Sequence, residues 1–434
     1  MDSNTAVAII LSASVVLMML GAPVAVLLAF SAMGGIFLIT GSVQAATGLL
    51  LATGLTVGSS VAYLVIPMFI LMGALASHTG IVRELFDAAY KAVGRIPGGL
   101  AVATCLASAA FGAVTGSSVS AASAMTKVAL PEMRRYGYSI RLSTGVIAAS
   151  GTFAMMLPPS VMMIFYGVVA QQSIGKLLIS GILPGLLSVA MFIILILFRS
   201  WANPAMAPRG PKFPAAETVR SSLKASPFII VLVTLVGGML FGLWTPTEAS
   251  VAGVLLVGVI GFLKRNLRWS KFFDAGLDTV VTAGTVFLLV IASILFGKFL
   301  ALSGITTTLT EAIIALDLSS FQLFCSLLIL YIVLGTFLEG ISVIALTVPL
   351  VLPIVNEAGW DLIWFGVIIV KLIEIGAMTP PVGLNIFAVQ SAHPDVSSND
   401  VIAGSVPFVI MEIVILFILF FVPDIATLLP SLMD

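Results

Sequence analysis

Long apolar runs recur along the chain, and they constrain its fold more than any other feature. Runs of about 17 or more apolar residues are long enough to cross the hydrocarbon core of a bilayer as helices. Hydrophobic residues occupy 60% of the 434 positions and charged residues only 9%, whereas soluble domains have roughly 45–50% and 25%. The sequence therefore predicts an all-α polytopic membrane protein.

The charges cancel in sum, but they are placed unevenly. The 19 cations and 19 acids give no overall polarity that would suggest a nucleic-acid partner. Most cations fall in four clusters, at residues 83–95, 127–141, 199–224 and 264–271. By the positive-inside rule these clusters are cytoplasmic. The connections around 317–322 and 356–361 carry acids but no Lys or Arg, so we expect them on the other side.

The N-terminal run and the cysteines exclude some alternatives. The run from Ala6 to Thr40 lacks a basic n-region and is too long for an h-region, so we expect no cleavable signal peptide. Cys105 and Cys325 lie in apolar runs without a CxxC pattern or a His partner. They therefore predict neither a metal site nor a redox function.

Segment 96–126 lies between two basic clusters, so both of its ends face the cytoplasm. Its roughly 30 residues are too many for one crossing and too few for two, which would need roughly 40. We therefore predict a re-entrant helical hairpin, with its tip in the stretch FGAVTGSSVSAAS (111–123). Segment 319–355, flanked by cation-free polar residues, reads as a second hairpin. It should enter from the opposite face because an odd number of predicted spans separates the two.

Two Pro-Pro pairs predict broken transmembrane helices at 142–172 and 362–392, because each pair removes two amide donors. Amphipathic arms are expected along the cytoplasmic interface at 80–98 and along the opposite interface at 304–317.

The predicted organisation is first-half scaffold helices and arm (1–95), first-half transport elements and the following span (96–198), a cytoplasmic linker (199–226), second-half scaffold helices and arm (227–318), and second-half transport elements and last span (319–434).

The two halves also match in sequence at an offset of 222. Ser120 aligns with Ser342, Pro131 with Pro353, and the pairs Pro158-Pro159 and Pro380-Pro381 align with each other. Halves of opposite orientation with broken helices are typical of secondary transporters. We therefore predict two inverted-topology repeats, each with one hairpin and one broken helix.

The hairpin tips and proline breaks predict where ions and substrate bind. Non-helical backbone survives at membrane depth only where it is buried or lines a wet site. Carbonyls released at the tips and proline breaks suit a hard cation, and half-helix N-termini suit an anionic substrate group. Pseudo-symmetry then predicts one cation site per half. No arginine lies near the tips, so the sequence shows no guanidinium clamp for a carboxylate.

Several residues keep alternative interpretations. A Gly/Ser run can reflect close helix packing. Glu339 can face the site or water, and Asn385 can contact substrate or a neighbouring backbone. Lys371 and Glu374 stand at i and i+3 and can neutralise each other.

The sequence gives less support to other classes of function. An intramembrane hydrolase would need Ser117 or Ser118 beside a histidine, and neither His78 nor His393 falls beside them in the predicted topology. A passive channel is disfavoured because two tips that converge from opposite faces suit alternating access. We therefore expect no enzyme activity.

Three motifs resemble the large membrane subunit of tripartite ATP-independent periplasmic (TRAP) transporters: GAVTGSSVSAASAMTKVALPEMRRYGYS (112–139), LPPS (157–160) and GAMTPPVGLNIFA (376–388). The resemblance covers essentially the whole chain. It implies a fold of the ion-transporter superfamily, in which a scaffold supports a mobile, elevator-type transport domain. It also implies a multi-pass protein of the bacterial inner membrane that couples uptake of small organic anions, such as C4-dicarboxylates or sialic acid, to a sodium gradient.

The resemblance further implies partners: a small four-helix membrane subunit, here expected to be a separate polypeptide, and a soluble periplasmic binding protein. A stand-alone ion-coupled carboxylate symporter or antiporter, without a binding protein, is the alternative. The sequence implies no cofactor besides Na⁺ as the coupling ion.

Carried over to this chain, the resemblance places one sodium ion at Ser117, Ser118, Ser120, Gly151 and Pro158. It places a second ion at Gly340, Ser342, Gly376, Thr379 and Pro380. The tips lack the Ser-Asn-Thr triplets of the dicarboxylate carriers of that superfamily. We expect the substrate carboxylate to dock between the tips and the half-helix N-termini, at Ser117, Ser118, Gly340, Thr379, Pro380 and Asn385.

Overall fold

A computed structural model describes residues 3–433. Within that range the chain is built from helices and connecting segments, without a β-strand. Eight of its helices are long and apolar enough to cross a membrane, and a ninth span is a pair of helices bent by 43°. The fold is therefore the all-α polytopic membrane protein that the apolar runs predict.

The helix bounds follow the chain in two halves. The first half contains α1 (Ser3–Met19), α2 (Val24–Thr40), α3 (Val43–Ser59), α4 (Val65–His78), α5 (Ile81–Val93), α6 (Gly99–Thr115), α7 (Ser118–Arg135), α8 (Ile140–Ser150), α9 (Phe153–Met156), α10 (Val161–Val169), α11 (Ile174–Ser180) and α12 (Ile182–Ala202). The second half contains α13 (Ala215–Leu240), α14 (Pro246–Leu263), α15 (Trp269–Ser303), α16 (Ile305–Ile314), α17 (Ser320–Phe337), α18 (Gly340–Glu357), α19 (Leu362–Met378), α20 (Leu384–Ala392), α21 (Ser398–Phe421) and α22 (Asp424–Thr427).

Helices α6 and α7 form a hairpin whose two ends contact the same connector. Before α6, the amide of Gly98 donates to Ala207 O at 3.2 Å. After α7, the amide of Ser139 donates to Met206 O at 2.9 Å. Both ends therefore lie on the face that carries the four basic clusters, which we call the basic face.

Helices α17 and α18 form the second hairpin, and its two ends also lie together. Phe321 at the start of α17 lies 5.8 Å from the ring of Phe420, and Trp364 beyond the end of α18 lies 6.2 Å from the same ring. Phe420 ends α21, whose other end is fixed to the basic face by the ion pair of Asp400 with Arg141 at 2.9 Å. The 20 residues between Asp400 and Phe420 span about 30 Å of helix. The two hairpins thus begin at opposite ends of α21.

A buried ionic cluster joins α12, α19 and α21. The ammonium of Lys371 donates to Ser188 Oγ at 2.7 Å, to Glu412 Oε2 at 3.0 Å, and to the carboxylate of Glu374. The side chains of Lys371, Glu374 and Glu412 are fully buried. The sequence predicted the neutralising contact of Lys371 with Glu374, but not the third member on α21.

Several predicted boundaries need correction. The second arm of the first hairpin does not end at 126, because α7 continues to Arg135 as an amphipathic helix that buries Ala129, Leu130 and Met133. The predicted linker 199–226 is mostly helical. Its extended part covers only 203–214 apart from one short turn, because the helix-forming residues after Pro214 begin α13.

Helix α3 was not assigned from the sequence. Its glycines and threonines interrupt the apolar run, yet it packs on α2 and α15. Lys298 on α15 donates to Thr53 Oγ1 of α3 at 2.8 Å. The partner that makes this segment ordered lies 245 residues away along the chain, which explains why local sequence did not reveal it.

Candidate functional site

A cavity of about 560 Å³ lies where the two hairpin tips approach each other. The first tip contributes Thr115–Ser120 and the second contributes Glu339–Ile341. The first proline break adds Met155, Val161 and Met162, and helices α4 and α15 close the remaining side. Because both tips and a proline break line this one space, we take it as the candidate substrate site.

The first tip is a tight turn between α6 and α7. Gly116 ends α6 with a φ of +62°, a backbone conformation that glycine adopts without steric cost. A methyl group on Gly116 would lie 3.0 Å from Pro159 O, so the tip packs directly on the first proline break. Ser117 caps α7, and its Oγ accepts a hydrogen bond from the amide of Ser120 at 3.4 Å.

Beside this tip lies a polar nest contributed by both halves. A methyl group on Gly151 would lie 3.1 Å from Ser118 O and 3.2 Å from Asn385 Nδ2. Asn385 is fully buried and donates from Nδ2 to Ala148 O at 2.9 Å. Its Oδ1 has no hydrogen-bond partner in the described residues. A buried, unpaired carbonyl oxygen is costly, so Asn385 Oδ1 is available to a ligand of this nest.

The second tip carries a carboxylate. Glu339 caps α18, and its Oε2 accepts hydrogen bonds from the amides of Ile341 at 3.1 Å and Ser342 at 3.3 Å. Gly340 is buried, and a methyl group there would lie 2.7 Å from both Met162 Cε and Ile373 Cγ2. The second tip is therefore wedged between the first-half break and α19.

The two proline breaks share one geometry but differ in packing. The peptide bonds Pro158-Pro159 and Pro380-Pro381 are both cis. The first pair is buried, whereas the second is exposed. On the second-half side, Gly376 packs against the backbone of Gly335, and a methyl group on it would lie 2.7 Å from Gly335 C. The first break is thus enclosed by protein and the second is open at its surface.

The predicted site residues divide into two groups. Four of them line the cavity: Ser117, Ser118, Ser120 and Gly340. The others are not among its lining residues: Gly151, Pro158, Ser342, Gly376, Thr379, Pro380 and Asn385. Thr379, the residue that follows α19, donates from Oγ1 to Ile375 O at 2.6 Å. For Asn385, the structure shows the contact with a neighbouring backbone rather than a position in the cavity.

Two lining residues were missed from the sequence. Asp278 on α15 and His78 at the end of α4 lie in the cavity wall, with His78 Nε2 3.4 Å from Asp278 Oδ2. His78 lines the same cavity as the tip serines. Its ring is paired with Asp278, and no hydrogen bond joins it to a serine in the described part of the chain. The available signal was an acid at the start of the apolar run of α15, since an acid at membrane depth is costly and usually functional.

A second cavity of about 790 Å³ adjoins the first on the basic face and shares Ser77 and His78 with it. Its wall carries six cations: Arg83, Lys91, Lys224, Arg265, Arg268 and Lys271. Glu84 and Asp87 are the acids of that wall. We call this space the basic vestibule. It lies between the candidate site and the basic face.

Comparison with known proteins identifies the family. The family described as the DctM component of the tripartite ATP-independent periplasmic transporter matches residues 11–425. The C4-dicarboxylate TRAP transporter large permease protein DctM of Pseudomonas aeruginosa is 34% identical over 371 residues, covering 85% of this chain and 86% of the relative. The sialic acid TRAP transporter permease protein SiaT of Haemophilus influenzae is 30% identical, covering 85% of this chain and 60% of the relative.

Among solved structures, the YdaH transporter of Alcanivorax borkumensis superposes with a TM-score of 0.61 at 12% identity, covering 91% of this chain and 89% of that one. This likeness concerns the fold alone. Together with the apolar spans, the relatives show a multi-pass protein of the bacterial inner membrane. The chain belongs to the large membrane subunits, or DctM components, of the tripartite ATP-independent periplasmic transporters.

Proposed function

We propose that this protein is the sodium-coupled permease subunit for uptake of a small organic acid, working by elevator-type alternating access. It would receive its substrate from a periplasmic binding protein and work with a separate four-helix membrane subunit. The observation that carries the proposal is that two hairpins starting at opposite ends of α21 bring their tips to one cavity. Inverted-topology repeats with broken helices place binding sites in this way.

The first-half nest supports a cation site. The carbonyl of Ser118 and the side-chain amide of Asn385 both approach the backbone of Gly151, and Asn385 Oδ1 is buried without a hydrogen-bond partner in the described residues. Oxygen atoms of this kind are ligands for hard cations such as Na⁺. We therefore assign Asn385 to the first ion site rather than to the substrate. Pro158 and the remaining oxygens of Ser117 and Ser120 complete the proposed set.

The second ion site is proposed at Gly340, Ser342, Gly376, Thr379 and Pro380. The contact of Gly376 with Gly335 holds the end of α19 against the hairpin, and the second break stays open to its surroundings. Binding of a cation there would draw the tip and the break together. Ordering of both tips by ions would then prepare the cavity for the substrate carboxylate.

Uptake in proteoliposomes tests the coupling. The permease, its small subunit and its binding protein are reconstituted, and uptake of the ligand of the binding protein is measured with an inward sodium gradient. We expect uptake to fall to background when potassium replaces sodium. Equal uptake without the sodium gradient would show that the coupling is wrong.

A variant pair tests the first ion site in the same vesicles. Asn385→Ala removes the proposed ligand, so the sodium concentration for half-maximal uptake should rise several-fold. Asn356→Ala, at an exposed position in the last turn of α18, serves as the matched control and should leave it unchanged. An unchanged sodium dependence in Asn385→Ala would remove Asn385 from the site.

A further inference from the structure

We infer that the substrate of this cavity carries a cationic group together with its carboxylate. The inference rests on the proposed function and makes it more specific, because it names the class of organic acid. It follows from where the fixed charges lie in the cavity wall, and from a difference between the two tips.

The cavity wall is acidic. Asp278 and Glu339 are its carboxylates, His78 is its only other titratable side chain, and no Lys or Arg is among the lining residues. The side chain of Asp278 is 66% exposed. A dianionic substrate would bring two further negative charges into a space of about 560 Å³ whose lining residues include no Lys or Arg to balance them. Negative charges confined together in a partly dehydrated site repel each other.

The two tips hold different groups at equivalent positions. Ser117 and Glu339 are separated by 222 residues, the offset that relates the halves, and each caps the second arm of its hairpin. The first turn of α7 contains no acid, so the partial positive charge of its N-terminus can attract an anion. At the N-terminus of α18 the Glu339 carboxylate already occupies that place.

The substrate should therefore bind with a fixed polarity. Its carboxylate would lie at the first tip, near Ser117 and Ser120, where hydroxyls and helix amides donate hydrogen bonds. Its cationic end would face Glu339, whose Oε1 has no hydrogen-bond partner in the described residues, and Asp278 on α15. A zwitterion, or an amino-bearing organic acid of low net charge, supplies both the carboxylate and the cationic group.

The basic vestibule does not change this conclusion. Its cations line the neighbouring space on the basic face, and none of them is among the residues lining the substrate cavity. Cations are expected on a cytoplasmic face whatever the substrate. Two acids in the apolar wall of a membrane cavity are the more specific signal.

Charged thiol reagents test the sign of the potential without knowledge of the substrate. In a background with Cys105 and Cys325 replaced by Ala, Thr282→Cys places a thiol in the cavity wall. We expect cationic methanethiosulfonate to react with it faster, relative to its rate with free thiol, than the anionic reagent. Asn266→Cys in the basic vestibule is the control in the same protein and should show the opposite preference.

Substitution of Glu339 tests whether its carboxylate contributes to the negative potential in the cavity. Glu339→Ser copies the residue of the first tip and keeps a good helix cap, so the hairpin should stay folded. It should lower the cationic preference at Thr282→Cys by about threefold to tenfold, the effect of one charge at several ångströms. Glu357→Ser at the exposed end of α18 should leave the preference unchanged. A preference for the anionic reagent, or no change in Glu339→Ser, would overturn the inference.

Four-carbon probes test the substrate class directly. We expect 4-aminobutyrate to protect Thr282→Cys from modification at lower concentrations than succinate or butyrate, and Glu339→Ser to abolish this order. Protection by succinate at concentrations where 4-aminobutyrate gives none, or no protection by 4-aminobutyrate at any concentration, would contradict it. These readouts need no sodium gradient, so a failure of sodium coupling alone would leave them standing.

Discussion

Single glycines decide how closely the transport elements approach each other. Gly376 and Gly335 bring the backbones of α19 and α17 into direct contact, and Gly145 and Gly404 do the same for α8 and α21. In membranes, small residues allow this approach where larger side chains would hold the helices apart. Close helix packing therefore requires glycine at these positions, independently of any role in ion binding.

Gly376→Ala tests this at the second ion site. The added methyl group would lie 2.7 Å from Gly335 C, which forces the hairpin away from α19. We expect a loss of about 1–3 kcal/mol of stability from overpacking, seen as a lower melting temperature in detergent, and a higher sodium requirement for uptake.

Gly258→Ala is the matched control for that substitution. It lies inside helix α14 with no atom within 4 Å of the added methyl group, so alanine should be neutral or slightly stabilising. Equal melting temperatures for the two alanine variants would show that the contact at Gly376 is not tight.

The sequence predicted some site residues and missed others for a physical reason. The first tip is readable because glycine and serine interrupt an apolar run between two basic clusters. Asp278 and Glu412 are acids in long apolar helices, and what each one does depends on partners that only the fold supplies. Asp278 meets His78 across 200 residues, and Glu412 meets Lys371 across 41.

At the scale of elements, the ionic cluster of Lys371, Glu374 and Glu412 fixes α19 between α12 and α21. Buried ions gain little net stability as a group, but removing one partner leaves an uncompensated charge in the interior. The cluster has no counterpart in the first half, where the positions 222 residues earlier are Ala149, Thr152 and Ala190. It therefore distinguishes the second broken helix from the first.

Lys371→Met should destabilise the protein by about 3–5 kcal/mol, because two carboxylates then remain buried without a cation. The combined variant Lys371→Met, Glu374→Met, Glu412→Leu should recover the wild-type stability or exceed it, since no charge is left to bury. Melting temperatures in detergent check both results. A single variant as stable as the wild type would contradict the burial of this cluster.

Elements were predicted well where a strong local signal marks them. The Pro-Pro pairs located both broken helices, and the bounds 362–392 match α19 and α20. The predicted bounds of α7 and of the linker were wrong. Charged residues were assumed to end the helices there, whereas an amphipathic helix can continue past the membrane surface. The inverted relation of the halves stays a prediction from the sequence match.

At the scale of the whole molecule, the decisive feature is that the hairpins start at opposite ends of α21. Labelling with a membrane-impermeant thiol reagent in intact cells tests this arrangement in the membrane. Arg95→Cys and Lys127→Cys should both be protected from outside, while Ser319→Cys and Glu357→Cys should both react. Arg95→Cys and Lys127→Cys on different sides of the membrane would disprove the first hairpin.

The connector between the halves limits how far the parts can travel. Ala207 is bonded to Gly98 at the root of the first hairpin, and Gly210 is bonded to Gly94 at the end of α5. Only three peptide steps separate these anchor points, so they can never be more than about 11 Å apart. A longer excursion of the hairpin must rupture one of these main-chain bonds or carry α5 along with it. The connector thus braces the root of the hairpin against the end of α5, to which the chain at 94–98 also joins it directly.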